Sequence, residues 1–67
     1  MDKRRLRYKH VLARAARVLG SEKRAAEWMH AERSALGGKK PIDLVRTIKG
    51  TKQVLNVLGA IEYGVFL

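Results

Sequence analysis

The stretch Ala35-Leu36-Gly37-Gly38-Lys39-Lys40-Pro41-Ile42-Asp43-Leu44-Val45 divides the chain into two helical halves. Adjacent glycines offer backbone conformations that other residues resist, and a proline three residues later lacks the N–H that a continuing helix needs. No single helix can therefore run through this region. Pro41 does suit the first position of a new helix, and Asp43 then lies near that helix's positive end. The half before this turn is basic, and the half after it is markedly more apolar.

A chain of 67 residues makes one small domain. Folding at this length removes only about 60% of the unfolded chain's surface from water, so the fold is expected to be marginal alone. With no cysteine, neither a disulfide nor a thiolate metal site can add stability, whereas a partner chain can. No apolar run approaches the roughly 18 to 20 residues of a membrane span, and Met1-Asp2-Lys3-Arg4-Arg5 does not open an apolar signal core. The expectation is a cytoplasmic protein that does not enter a membrane.

Strong helix formers fill residues 3–19, and a turn of 100° per residue places Tyr8, Val11, Leu12, Ala15, Val18 and Leu19 on one face. Lys9, His10, Arg14 and Arg17 fall on the other, and the packed part is expected to begin near Arg7. Gly20 is a C-terminal cap and Ser21 the N-cap of a second helix over 22–33, which buries Ala25, Trp28 and Met29. A short third helix is expected over 41–47. Gly50 reads as a break, followed by a fourth helix over 51–63 with Val54, Val57, Leu58 and Ile61 as its stripe. Gly64 is placed to cap it. The fold expected is all-α, a small compact bundle of about four helices.

The formal charge is +9, and residues 1–24 carry most of it, with nine basic and two acidic side chains against six and four in the remainder. Such a field favours an anionic partner without choosing among nucleic acid, acidic protein and lipid. Catalysis has little support. His10 and His30 are far apart, no cysteine or carboxylate cluster accompanies them, and Ser21 and Ser34 have capping or turn roles. Gly37-Gly38-Lys39-Lys40 lacks P-loop spacing and follows no strand, so no enzyme, metal or cofactor is expected.

One pattern points to DNA. Ala16, Gly20, Ala26 and Met29 have the spacing of a helix-turn-helix corner, which would bring Arg14, Arg17, Lys23 and Arg24 toward phosphates. Any tight two-helix corner produces the same pattern, and Glu22 and Glu27 oppose the reading. The segment Val65-Phe66-Leu67 leaves two readings open, since an apolar end either packs back on the core or anchors in a partner's pocket.

Several separated motifs occur together in one order: Trp28; Ala35-Leu36-Gly37-Gly38; Pro41-Ile42-Asp43-Leu44; Thr47; Gly50; Val54; Leu58; and Ile61-Glu62-Tyr63-Gly64-Val65. Together they resemble the Xre/MbcA/ParS-type toxin-binding domain, the carboxy-terminal half of antitoxins that neutralise RES-domain toxins. The similarity covers residues 13–67, with residues 1–12 as a basic extension continuing into the first helix. The resemblance implies a helical module that binds an NAD-consuming RES-domain toxin and blocks its active-site entrance with its own carboxy-terminal end. Carried onto this chain, that end is Tyr63, Gly64, Val65, Phe66 and Leu67. Homo-oligomerisation is compatible with the resemblance. Family members usually carry a helix-turn-helix domain ahead of this one, where the present sequence has a basic stretch of about a dozen residues. Ala31-Glu32-Arg33-Ser34 also stands where the family often has a Pro-Asn pair, which favours a longer second helix.

Overall fold

With no glycine or proline to interrupt it, the first segment forms one helix, α1 (Lys3–Leu19), in a computed structural model that describes residues 3–64. Gly20 ends α1 in a left-handed conformation, and its N–H donates to the Ala16 carbonyl at 2.8 Å. The Ser21 hydroxyl caps α2 (Glu22–Met29) by accepting from the Arg24 N–H at 3.1 Å, and Glu22 occupies the first turn as the helix dipole favours. A 3₁₀ turn (Ser34–Leu36) leads through Gly37 and Gly38, both left-handed, to α3 (Pro41–Leu44). The last helix, α4 (Ile48–Glu62), starts from Thr47, whose Oγ1 accepts from the Gly50 N–H at 2.9 Å. The described residues form four helices and no strand, as the all-α reading requires.

The core lies where α1, α2 and α4 meet. Val11 and Ala15 come from α1, Ala25, Trp28 and Met29 from α2, Val45 from the turn after α3, and Val54 and Leu58 from α4. Trp28 is only 7% exposed, so the single tryptophan is a core anchor. Most of the α1 stripe expected from spacing is packed, with Tyr8, Leu12 and Leu19 flanking the two buried positions; Val18, expected with them, is not among the residues packed on the core, and Ala16 is.

Three expected boundaries move, each for a non-local reason. The second helix stops at Met29 rather than running to residue 33, because Arg33 turns back on it. Arg33 Nε and Nη2 donate to the Trp28 carbonyl at 3.3 and 3.2 Å, while its backbone N–H donates to the Lys39 carbonyl at 3.1 Å. Those bonds add a charged donor to a carbonyl of the last turn, which the Ala31 N–H reaches at 3.4 Å, and close the 33–39 loop; together they outweigh the helix propensity of residues 30–33. The third helix ends at Leu44 rather than residue 47, and the fourth begins at Ile48 rather than residue 51.

Gly50 is accordingly not a break but a buried residue inside α4. A Cβ built there would collide with the Leu44 carbonyl, so glycine is required by the close passage of the α3 end. Around this corner the Thr51 hydroxyl donates to the Thr47 carbonyl at 2.7 Å, with the Val45 carbonyl at 3.3 Å. From α1, Arg7 Nε donates to the Val45 carbonyl at 3.3 Å and Nη2 to the Arg46 carbonyl at 2.9 Å. A cation thus satisfies the carbonyls left free where α3 ends.

Two glycines of α4 provide an internal comparison, because a Cβ at Gly59 meets nothing within 4 Å. Gly59→Ala is expected to raise stability by about 0.5–1 kcal/mol through helix propensity. Gly50→Ala is expected to lower it by about 2 kcal/mol, or roughly 10 °C in Tm, because overpacking overrides the same propensity gain. Thermal melts of the two variants check the sign reversal. Arg7→Ala should cost about 1–2 kcal/mol in the same assay, since two carbonyls lose a charged donor.

Candidate functional site

The end of α4 is held from one side and free on the other. Glu62 Oε1 lies 2.8 Å from Arg14 Nη2, an ion pair whose side chains are 33% and 36% exposed. Arg14, expected on the solvent face of α1, instead fixes the last turn of α4; its Nε is buried with no hydrogen-bond partner. Tyr63 follows as the C-cap residue and is 79% exposed, the most exposed large hydrophobic side chain among those described. Gly64 then takes a left-handed conformation and donates its N–H to the Ile61 carbonyl at 3.2 Å, so it is the helix cap expected of it. Val65, Phe66 and Leu67, also expected in the site, lie outside the described residues.

Beside this end runs a shallow groove between α4 and the 33–39 loop. The part nearest Trp28, about 190 Å³, is lined by Trp28, Arg33, Ser34, Ala35, Val57 and Ile61. Val57 and Ile61, expected in the buried stripe of α4, are half-buried and form its floor. The Arg33 guanidinium sits 5.3 Å from the centroid of the Trp28 ring, within cation–π range. The groove beyond continues past Ala35 to Leu36, Lys39, Gln53 and Asn56. Sequence reasoning put Ala35 in a turn and Arg33 at the end of the second helix rather than in a site, because their placement here follows from the Arg33 to Lys39 pairing.

The cations expected to approach nucleic acid fall into two groups. Arg14 and Arg17 line a shallow cleft on α1 with His10 and Ala13. Lys23 and Arg24 are exposed on the first turn of α2 and do not line that cleft. His10 and His30 are both exposed, and His30 Nδ1 donates to the Ala26 carbonyl at 2.8 Å. Among the described residues, no three His, Cys, Asp or Glu side chains gather to hold a metal ion, and no helix is long and apolar enough to cross a membrane.

The family model of the antitoxin Xre/MbcA/ParS C-terminal toxin-binding domain matches residues 14–64. The chain belongs to this family. No curated protein matches it. The matched span of the antitoxin domain runs from Arg14 to Gly64, so the Arg14–Glu62 ion pair ties its two ends together. Arg7 and Val11 lie ahead of the matched span, yet one caps α3 and the other is fully buried in the core. The toxin-binding domain thus draws part of its packing from the helix that leads into it.

Since the Arg14–Glu62 pair is about one-third exposed, Glu62→Gln should cost less than about 1 kcal/mol. The cost should shrink in molar salt, where the Debye length falls to about 3 Å. Chemical denaturation at low and high salt measures it, and a large salt-independent loss would contradict this account of the pair.

Proposed function

We propose that this antitoxin-family domain binds and inhibits a RES-domain, NAD-consuming toxin, with Tyr63, Gly64, Val65, Phe66 and Leu67 blocking the toxin's active-site entrance. The observation that supports this most directly is the 79% exposure of Tyr63 on a fixed helix end, immediately before an apolar segment. An aromatic side chain held in water by a capped helix costs little entropy to insert into a pocket, because its backbone is already ordered. Tyr and Phe are the anchor types that dominate interface energetics.

Charge supports the same division of roles. Residues 53–67 carry Glu62 as their single charged side chain, and Arg14 neutralises it. This end can enter a pocket built for an anionic dinucleotide without bringing repulsive cations. The charge on α1 sits elsewhere and accelerates encounter with an acidic surface rather than adding to the final contact. In this reading the domain has no chemistry of its own, and inhibition is occlusion.

Removing Val65 to Leu67 is expected to weaken binding to the cognate toxin by at least a hundredfold, or about 3 kcal/mol, with helical content by circular dichroism unchanged. Tyr63→Ala should cost about thirtyfold on the same scale. Titration calorimetry against the toxin, with NAD consumption read in parallel, tests both. Undiminished binding and inhibition by the shortened chain would refute the blocking role of this end.

A further inference from the structure

A blocking end is too small to be the whole of a toxin-binding interface. Stable protein–protein interfaces bury roughly 800 Å² on each partner and draw about 20–30 residues from each side, whereas the proposed end supplies five. The groove between α4 and the 33–39 loop adjoins that end, because Ile61 lines it two residues before Tyr63. We propose that this groove is a second contact for the toxin, and that it takes an apolar toxin segment whose acidic side chains meet Arg33 and Lys39. The inference deepens the toxin-binding reading and rests on it for the identity of the partner.

The groove is built before a partner arrives. One wall is α4, where Gln53, Asn56, Val57 and Ile61 follow at i, i+3, i+4 and i+8 and so share a face. The other is the 33–39 loop, closed by the Arg33 N–H donating to the Lys39 carbonyl at 3.1 Å and the Gly38 N–H donating to the Arg33 carbonyl at 2.9 Å. Ala35 and Val57 line both the part nearest Trp28 and a neighbouring part of about 510 Å³, so the two are continuous. From Gln53 to Ile61 the helix rises about 12 Å, room for two turns of a partner helix or about four extended residues. Walls already fixed have little freedom left to lose on binding.

Charge selects the occupant. Leu36, Val57 and Ile61 are half-buried, so the floor offers apolar surface that the core does not cover. Both charged side chains that line the groove are cationic, Arg33 near Trp28 and Lys39 in the neighbouring part. Neither is paired with a carboxylate among the described residues, whose ion pair is Arg14–Glu62. Arg33 is also held in place, with Nε and Nη2 on the Trp28 carbonyl and its guanidinium 5.3 Å from the ring centroid. Its Nη1 has no hydrogen bond among the described residues, and a guanidinium already oriented gives up little entropy to an incoming carboxylate. Two cations on an apolar floor do not match a phosphate backbone, which is bound by a run of them. They do match an apolar segment with one or two acidic side chains.

The test is binding of the cognate toxin to the full chain and to variants that alter the groove. Asn56 is exposed on α4, so Asn56→Trp fills the groove without touching the core, and it should weaken binding about thirtyfold. Arg33→Gln should weaken it about tenfold and Lys39→Gln about threefold. Lys52→Gln removes the same charge from an exposed α4 residue outside the groove and should change affinity by less than about twofold. Thermal melts and circular dichroism should show Asn56→Trp and Lys39→Gln folded like the unchanged chain. In the complex, zero-length carbodiimide coupling should join the Lys39 amine to a toxin Asp or Glu, located by mass spectrometry. Undiminished affinity in Asn56→Trp would overturn the proposal, as would losses in Arg33→Gln and Lys39→Gln no larger than in Lys52→Gln. Either result leaves the blocking role of the end standing, because that role is read from the shortened chain and Tyr63→Ala. A toxin that the unchanged chain fails to bind would overturn both.

Discussion

The structure depends on the passage of the α3 end over Gly50. Without a side chain at that position the Leu44 carbonyl can lie against α4, and that contact sets where the last helix begins and how it points. The polar groups thrown up by so tight a corner are met locally and from a distance. Thr47 caps α4, the Thr51 hydroxyl reaches the Thr47 carbonyl, and Arg7 comes from α1 to the Val45 and Arg46 carbonyls. Buried backbone groups left unpaired are costly, so such a corner is viable only with these partners in place. Packing of Val54 and Leu58 against Val11, Ala15, Trp28 and Met29 follows from the direction it imposes.

Features written in a few consecutive residues were legible in the sequence. Ser21 as an N-cap, Pro41 at a helix start, Gly20 and Gly64 as left-handed caps, and Trp28 as a core residue all follow from local chemistry, and each is found. Gly50 was misread because a break and a close approach both demand glycine. Only the Leu44 carbonyl, six residues away in sequence and adjacent in space, distinguishes them. The end of α2 was misplaced because the competing bonds run from Arg33 to Trp28 and Lys39. Arg14 read as solvated because its carboxylate partner lies 48 residues on. In the candidate site, Tyr63 was named only through the family resemblance, and its exposure comes from the structure. The groove was not, because Arg33, Ala35 and Val57 come from three segments brought together only by the fold.

The domain separates rigidity from contact. Two arginines seven residues apart on α1 fix α4 near both ends, Arg7 through the turn before it and Arg14 through Glu62. The last helix is therefore braced near both ends by its neighbour α1. Bracing of this kind lowers the freedom that a toxin-binding domain has to lose when it meets its partner. Two of the cations on α1 are committed in doing so, Arg7 to two backbone carbonyls and Arg14 to the Glu62 carboxylate.

The bracing stops at Glu62, and Gly64 comes two residues later. Between the last clamped side chain and whatever follows, the chain has one residue without a Cβ, whose φ and ψ can change with few steric barriers. A reorientation of the end then amounts to rotation about a single swivel rather than the melting of a helical turn. Fixing one residue's backbone involves about 1–2 kcal/mol of entropy, small beside the burial of even one aromatic anchor. A change of backbone angles at Gly64 can thus redirect the chain beyond it while α4 stays intact.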